Sequence, residues 1–120
     1  MFEKWAWAAD VDWGDDDEFV NTTGRRPSEI LEENRAVIRR IVAASKASNP
    51  RIFGSVLDRS DTVKSDLDIL IDVERGFTLF DLGGLIFELQ EALHIPVDVK
   101  TPGDLPIKWR ESVVSAAVPV

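Results

Sequence analysis

The sequence contains no cysteine, no apolar run long enough to cross a membrane and no excess of basic residues. Without cysteine, neither a disulfide framework nor a thiolate metal site can form, and we expect a cytoplasmic protein. A membrane-spanning helix needs roughly 20 apolar residues, and the N-terminal stretch MFEKWAWAAD lacks the basic and apolar regions of a secretory signal. The net charge of −8 leaves no basic footprint, so we expect no direct binding of a long nucleic acid.

The negative charge is concentrated at the N-terminus. Residues 1–24 hold seven acids against one base, whereas the rest of the chain holds 15 acids and 13 bases. Three tryptophans accompany these acids, and clustered like charges disfavour compaction. We therefore predict a flexible, acidic, tryptophan-containing extension over residues 1–24. The alternative is an arm that docks on a basic partner or folds back onto the body, and residues 25–120 form one domain under either interpretation.

The hydrophobic pattern of residues 25–120 predicts a small α/β domain in which a mixed β-sheet is flanked by helices. Asn49-Pro50 is expected to end the first helix, and Thr78 with Asp81 forms a variant of the capping box at the start of the second. The predicted elements are a helix over 28–48, a strand over 51–53, a short helix or turn over 56–59, a strand over 66–73, a helix from residue 78, a strand over 96–101 and a helix over 106–116.

The central strand carries two carboxylates on one face. Period-two alternation places Asp66 and Asp68 side by side, where each raises the cost of ionising the other unless a cation compensates them. Mg²⁺ supplies such a charge and is commonly shared between carboxylates and substrate phosphates. Upstream, Gly54 permits close backbone approach, and Ser55 offers a hydroxyl and backbone N–H groups for phosphate oxygens. Together these groups favour phosphoryl or nucleotidyl transfer.

A lone D-x-D or Gly-Ser pair is weak evidence, because solvated edge strands and ordinary turns also contain them. The two in order, ten residues apart, form the pattern G-S-x10-D-x-D, which resembles the signature of the polymerase-β-like nucleotidyltransferase superfamily. The resemblance implies that fold, with Asp66 and Asp68 holding two Mg²⁺ ions and Gly54-Ser55 gripping the nucleoside triphosphate. It also implies a third acid on a later strand, which Asp98 matches, completing one metal site and helping to deprotonate the attacking hydroxyl.

The stretches around Thr78–Leu85, Val97–Val99 and Thr101–Leu105 are similar to the MntA-type minimal nucleotidyltransferase antitoxins of HEPN–MNT toxin–antitoxin pairs. That resemblance implies an enzyme that transfers AMP from ATP to a tyrosine of a partner HEPN ribonuclease toxin. A chain with one helix after the third acid is expected to borrow its acceptor from a partner. Two alternatives stay open: a non-catalytic antitoxin that neutralises by binding, and a nucleotidyltransferase that acts on a small molecule or an RNA end.

The loop after the Gly-Ser turn departs from the family pattern. Relatives often carry an arginine in an A-R-G triplet there, whereas this chain has Asp58 followed by Arg59. Arg59, or Lys64 before the acids, is a candidate for the positive charge that binds nucleotide, and solvated surface charge is the alternative for each. Gly83-Gly84 within a helix predicts close packing against the sheet or a partner helix.

Three further side chains have mainly structural interpretations. We expect Asp72 to be a solvated strand end or a salt-bridge partner. His94, between a helix and a strand, is expected to be structural or solvent-facing rather than catalytic. Trp109 in the last helix is expected to pack in the core, with a partner surface as the alternative.

Overall fold

A computed structural model of the chain describes residues 19–120, which contain four α-helices and four β-strands. Two short 3₁₀ turns, Gly54–Val56 and Pro102–Asp104, connect them. The elements in chain order are α1 (Pro27–Glu33), α2 (Arg35–Ala43), β1 (Ala47–Phe53), β2 (Leu67–Val73), α3 (Leu79–Leu93), β3 (Val97–Lys100), α4 (Ile107–Ala116) and β4 (Val118–Pro119).

The four strands form a mixed sheet in the order β3-β2-β1-β4. β2 pairs with β3 in parallel and with β1 antiparallel, and β4 pairs antiparallel with β1 at the edge. The parallel pair requires a crossover connection, which α3 provides. The mixed sheet flanked by helices confirms the predicted fold class.

Hydrophobic residues cover both faces of the sheet. Leu67, Ile69 and Ile71 of β2 belong to the main core, together with buried residues of the first three helices. On the opposite face Leu70 contacts Phe53 and the Val113 side of α4 in a smaller cluster. The predicted alternation of β2 is therefore confirmed, and α4 lies on the face to which Asp68 belongs.

The predicted first helix is wrong in its length. It breaks at Asn34 into α1 and α2, and the chain is already in β1 at Ala47. Asn49 adopts a left-handed conformation with φ of 53°, and the register with β2 is irregular between Ser48 and Arg51. The bulge accommodates the missing N–H of Pro50. The Asn49-Pro50 dipeptide, which was predicted to end a helix, therefore lies inside a strand.

The start of α3 is confirmed. Thr78 Oγ1 accepts a hydrogen bond from the Asp81 backbone N–H, and the Asp81 carboxylate accepts one from the Thr78 backbone N–H. Of the two interpretations of Gly83 and Gly84, packing against the sheet is wrong, and packing against a partner helix stays a prediction. Both are exposed, and a Cβ at either position would have nothing within 4 Å among the described residues.

The C-terminal residues form an additional element that the sequence analysis did not predict. Val118 and Pro119 pair with Ile52 and Arg51, which extends the sheet by an edge strand after α4. None of the helices within residues 19–120 is both long and apolar enough to cross a membrane.

Most of the predicted N-terminal extension lies outside the described residues. Residues 19–24, its last part, are described, and two of them form hydrogen bonds with the domain. The Thr22 backbone N–H donates to the His94 carbonyl at 3.2 Å, and Asn21 Nδ2 donates to the Val63 carbonyl at 3.1 Å. Residues 21 and 22 therefore contact the end of α3 and the loop before β2.

Candidate functional site

Two carboxylates lie on adjacent strands at the same level of the sheet. Asp68 on β2 is the register partner of Asp98 on the parallel strand β3, so both belong to the face that carries α4. The strands of a sheet lie roughly 5 Å apart, which makes these two residues direct neighbours. Asp68 is 1% exposed, while the Asp98 side chain is 34% exposed. The sheet thus brings together one buried and one accessible acid from positions 30 residues apart.

Asp66 lies at the start of the same strand. β2 begins at Leu67, whose backbone N–H donates to the Pro96 carbonyl at 2.9 Å, so Asp66 immediately precedes the sheet and is half-buried. It therefore lies at the end of β2 that is close to Asp68 and to the beginning of β3. All three predicted acids belong to this end of the β2–β3 pair.

Gly54 approaches the buried carboxylate from the neighbouring strand. It follows Phe53, the register partner of Asp68, and has φ of 83°. A Cβ at position 54 would overlap Asp68 Oδ2 and would lie 3.1 Å from its Cγ. The absence of a side chain therefore lets the Asp68 carboxylate lie directly against the backbone of the Gly-Ser turn.

The turn after Gly54 contains an unsatisfied hydroxyl. Within the described residues Ser55 Oγ is buried and makes no hydrogen bond. The Ser55 carbonyl accepts the Ser60 backbone N–H at 3.0 Å, which closes the loop 55–60 on itself. A buried hydroxyl without a partner costs about 1–3 kcal/mol, and a ligand oxygen would remove that cost.

The connection between the turn and the acids is fastened to α1. Asp61 is 4% exposed and accepts the Ser28 backbone N–H at 2.8 Å and Arg26 Nη2 at 3.2 Å. The Arg26 guanidinium also donates to the carbonyl groups of Arg59 and Asp61. The loop that carries the chain from Ser55 to Asp66 is thus held at its middle.

Lys100 is a member of this site that the sequence analysis missed. Its Nζ lies 3.5 Å from Asp98 Oδ2, and its side chain is 14% exposed. The two residues are two apart on β3, so they share a face, and that period-two spacing was the signal that could have revealed the pair. Lys100 places a positive charge beside the acids and offsets part of their mutual repulsion.

The candidate nucleotide-binding charges, Arg59 and Lys64, are both exposed. Arg59 is exposed, has φ of 63°, and its guanidinium lies 3.7 Å from the Glu32 carboxylate. Lys64 is exposed in the turn before Asp66. The roles of Arg59 and Lys64 stay predictions. Asp58 is exposed near the Gly-Ser turn, and hydrogen bonds from Ser60 lower the pKa of its carboxyl.

Asp72, His94 and Trp109 are the three residues for which the sequence predicted mainly structural roles. Asp72 Oδ1 accepts a hydrogen bond from Arg51 Nη2 at 2.6 Å, which confirms the salt-bridge interpretation of Asp72. His94 ends α3 in the left-handed conformation, with φ of 61°. Trp109 is partly buried against the cluster of Phe53 and Val113, while Lys108 Nζ lies 5.5 Å from its ring centroid.

The arrangement places carboxylate oxygens, a buried hydroxyl and the backbone of the Gly-Ser turn close together. In residues 19–120 no three acid or histidine side chains are clustered tightly enough to hold a metal ion by themselves. A cation at this site would therefore need ligands from a bound molecule in addition to the protein carboxylates, as is common for Mg²⁺ with phosphates.

The comparisons with known proteins agree on one family. Residues 30–117 match the family described as nucleotidyltransferase domain. A protein of Methanocaldococcus jannaschii, named as a protein adenylyltransferase, is 36% identical over 69 residues, which span 58% of this chain and 74% of that protein.

Solved structures share the fold. One described as a minimal nucleotidyltransferase is 33% identical, with a TM-score of 0.70 over 78% of this chain and 95% of that one. A second, a crystal structure of a toxin–antitoxin with AMP-PNP, is 21% identical, with a TM-score of 0.61 over 74% and 72% of the two chains.

Proposed function

The chain belongs to the nucleotidyltransferase domain family, and from that premise we propose that it is an antitoxin that transfers AMP from ATP to a tyrosine of a partner HEPN ribonuclease toxin. The relative named as a protein adenylyltransferase supports AMP as the group transferred and a protein as the acceptor. The toxin–antitoxin structure with AMP-PNP supports a toxin as that protein and ATP as the donor.

One observation carries the chemical part of the proposal. Asp68 and Asp98 are register partners on parallel strands, and the side-chain-free surface of Gly54 lies against the Asp68 carboxylate. Acids on one side and the Gly-Ser turn with its buried hydroxyl on the other are the groups that nucleotidyl transfer needs. A binding protein without chemistry gains nothing from neighbouring acids that repel each other.

In the proposed reaction a tyrosine hydroxyl oxygen attacks the α-phosphorus of ATP. A new oxygen–phosphorus bond forms, the bond from the α-phosphorus to the bridging oxygen breaks, and pyrophosphate leaves. The Asp98 carboxylate, accessible beside Lys100, accepts the tyrosine proton. The Gly54-Ser55 turn holds phosphate oxygens through its backbone N–H groups and the Ser55 hydroxyl.

Asp66, Asp68 and Asp98 would hold two Mg²⁺ ions in this proposal. Their hard oxygen donors fit that cation, which is commonly shared between carboxylates and substrate phosphates. When bound, Mg²⁺ would neutralise charge on the phosphates and orient them for displacement. Lys100 offsets part of the acid charge when the cations are not there.

The exposed face of α3 supports the presence of a partner. Phe80 is 91% exposed and Phe87 is 63% exposed, and they lie on one side of the helix with the bare backbone of Gly83 and Gly84 between them. All three ionisable residues of α3 are acids, so a second copy of the chain would bring like charges together here. This surface therefore favours the toxin, through a helix with apolar residues and a basic flank.

The proposal is tested by incubating the chain with its HEPN toxin, Mg²⁺ and ATP labelled at either the α- or the γ-phosphate. We expect label from α-labelled ATP on a toxin tyrosine and none from γ-labelled ATP. The Asp68→Asn chain should transfer no label, whereas Asp72→Asn on the same strand should transfer it normally, because Asp72 is bonded to Arg51 instead.

Other outcomes favour the alternatives. Toxin neutralisation that is undiminished in an Asp68→Asn, Asp98→Asn double variant would support inhibition by binding alone. Label that appears on an RNA end or a small molecule, and never on the toxin, would identify a different acceptor.

A further inference from the structure

Lys100 is a largely buried cation in direct contact with one of the three acids. Its side chain is 14% exposed, and its Nζ lies 3.5 Å from Asp98 Oδ2. Its register partner on β2 is Leu70, which is completely buried in the smaller apolar cluster on this face of the sheet. An ammonium group beside apolar side chains is costly unless an anion compensates it. The contact with Asp98 therefore offsets the cost of burying Lys100.

The acid site, formed by Asp66, Asp68 and Asp98, carries more charge than one lysine can offset. Asp68 is the register partner of Asp98 and is 1% exposed, and Asp66 lies two residues before it in the chain. Lys100 compensates at most one of the three carboxylates, so the site keeps a net attraction for cations. The reaction proposed above uses Lys100 only for that offset.

The lysine opposes any divalent cation that binds Asp98. Such a cation would come close to Nζ, because Nζ already lies next to that carboxylate. The two positive charges repel each other, and the low exposure of Lys100 leaves little water to screen them. Lys100 therefore lowers the affinity of the acid site for a cation alone. In keeping with this, the described part of the chain has no group of three acid or histidine side chains that could hold a metal by itself.

A nucleoside triphosphate reverses this balance. Its phosphate chain brings several negative charges, and its oxygens bind both divalent cations and lysine ammonium groups. The repulsion between Lys100 and the cation is then offset by an anion that contacts both. The cation and the nucleotide should therefore bind cooperatively, each raising the affinity of the site for the other.

We propose that Lys100 is an internal counter-ion of Asp98 that weakens the binding of divalent cations to the acid site until a nucleotide is present. The site then fills with the cation and the triphosphate together, and not with the cation alone. The inference rests on the proposed nucleotidyl transfer and assigns to Lys100 the control of when its cations bind.

Binding of Mn²⁺ to the full chain without nucleotide tests the proposal. Mn²⁺ takes the same oxygen ligands as Mg²⁺, and electron paramagnetic resonance measures the ions that stay free in solution. Lys100→Met removes the charge and should tighten Mn²⁺ binding by at least about tenfold, whereas Lys100→Arg keeps the charge and should bind Mn²⁺ as the parent does. Lys46→Met removes the same charge from an exposed position at the opposite end of the sheet and should stay within about twofold of the parent.

Thermal denaturation separates this role from a merely structural one. With EDTA present, Lys100→Met should melt below the parent, because the acids repel each other without the lysine. Mn²⁺ should then raise its melting temperature by more than it raises that of the parent, since a ligand that binds more tightly stabilises more at the same concentration. Equal increases in the two chains, or a Lys100→Met chain that is unfolded with and without Mn²⁺, would overturn the proposal.

The part played by the nucleotide is tested with Mn²⁺-ATP. Lys100→Met should bind Mn²⁺-ATP no more tightly than the parent does, because the phosphates already offset the repulsion. A gain as large as the gain for Mn²⁺ alone would refute cooperative binding. A parent chain that transfers AMP, together with an unchanged Mn²⁺ affinity in Lys100→Met, refutes the counter-ion alone. If neither chain binds Mn²⁺ or Mn²⁺-ATP, the metal-holding acids and the proposed transfer are refuted.

Discussion

Gly54 and the Asp68 carboxylate lie so close together that no other residue fits at position 54. A Cβ there would overlap Asp68 Oδ2, and the backbone φ of 83° independently disfavours any side chain. Two physical constraints therefore favour glycine at position 54, one conformational and one steric. The steric reason involves an acid that is 1% exposed and has little freedom to move.

Gly54→Ala should damage both stability and transfer. The positive φ alone costs a residue with a side chain about 1–2 kcal/mol, and the new methyl group must displace Asp68. We expect a lower urea midpoint and a transfer rate reduced by roughly two orders of magnitude, since displacement of a catalytic group by about 1 Å has effects of that size.

Gly76→Ala is the matched control for this change. Gly76 has a similar φ of 95°, but a Cβ there would meet nothing within 4 Å. It should lose a comparable 1–2 kcal/mol from the backbone term and retain transfer. If Gly54→Ala transfers AMP as well as Gly76→Ala does, the contact with Asp68 has no functional meaning.

Removal of the Asp61 carboxylate should loosen the loop before the acids. In Asp61→Ala the backbone N–H of Ser28 loses its buried acceptor and Arg26 loses an ion pair, which should cost about 2–3 kcal/mol in the free energy of unfolding. Urea denaturation measures this. Asp81→Ala removes the more exposed hydrogen bond from the Thr78 backbone N–H at the start of α3 and should cost about 1 kcal/mol. Equal losses would show that the burial of Asp61 contributes nothing.

His94→Gly should stabilise the domain. His94 is exposed and ends α3 with φ of 61°, a conformation that glycine adopts without the steric cost. After the larger entropy of glycine in the unfolded chain is subtracted, a gain of about 0.5–1 kcal/mol remains. Ala92→Gly, two residues earlier within the helix, should instead cost about 1 kcal/mol. A loss of stability in thermal denaturation of His94→Gly would contradict this interpretation.

Asp72 should contribute to stability only above acidic pH. Hydrogen bonding from Asn49 and the charge of Arg51 lower the pKa of the Asp72 carboxyl in the folded protein. The contribution is therefore complete above about pH 5 and is lost as the pH falls below about 4. Because the pair is partly exposed, Asp72→Asn should cost less than about 1 kcal/mol at pH 7. A difference in urea midpoint that grows towards pH 3 would show the opposite sign.

Much of the fold could be predicted from local patterns. The alternation of β2 and the cap at Thr78 depend on neighbours within a few residues, so the sequence displays them directly. The bulge around Pro50 depends on pairing with the distant strand β2, which overrides the local signal. The two residues of β4 are too few for any periodicity.

The candidate site divides in the same way. The spacing of Gly54, Asp66 and Asp68 identified the acid end of the sheet, and the register of β2 with β3 brings Asp98 to Asp68. The metal and nucleotide roles of these residues stay predictions. Lys100 could have been found from its spacing to Asp98. The approach of α4 to the Gly-Ser turn, where Ser112 and Ser55 line one cavity, could not, because only tertiary packing brings these segments together.

The most direct test of the account is the single-turnover rate of AMP transfer to the toxin in Asp98→Asn, compared with the parent chain and with Asp72→Asn. Since Asp98 and Asp68 are register partners, the account predicts that Asp98→Asn folds normally and loses at least about a hundredfold in rate, while Asp72→Asn stays within about twofold of the parent. A folded Asp98→Asn chain that transfers AMP at the parent rate would contradict it.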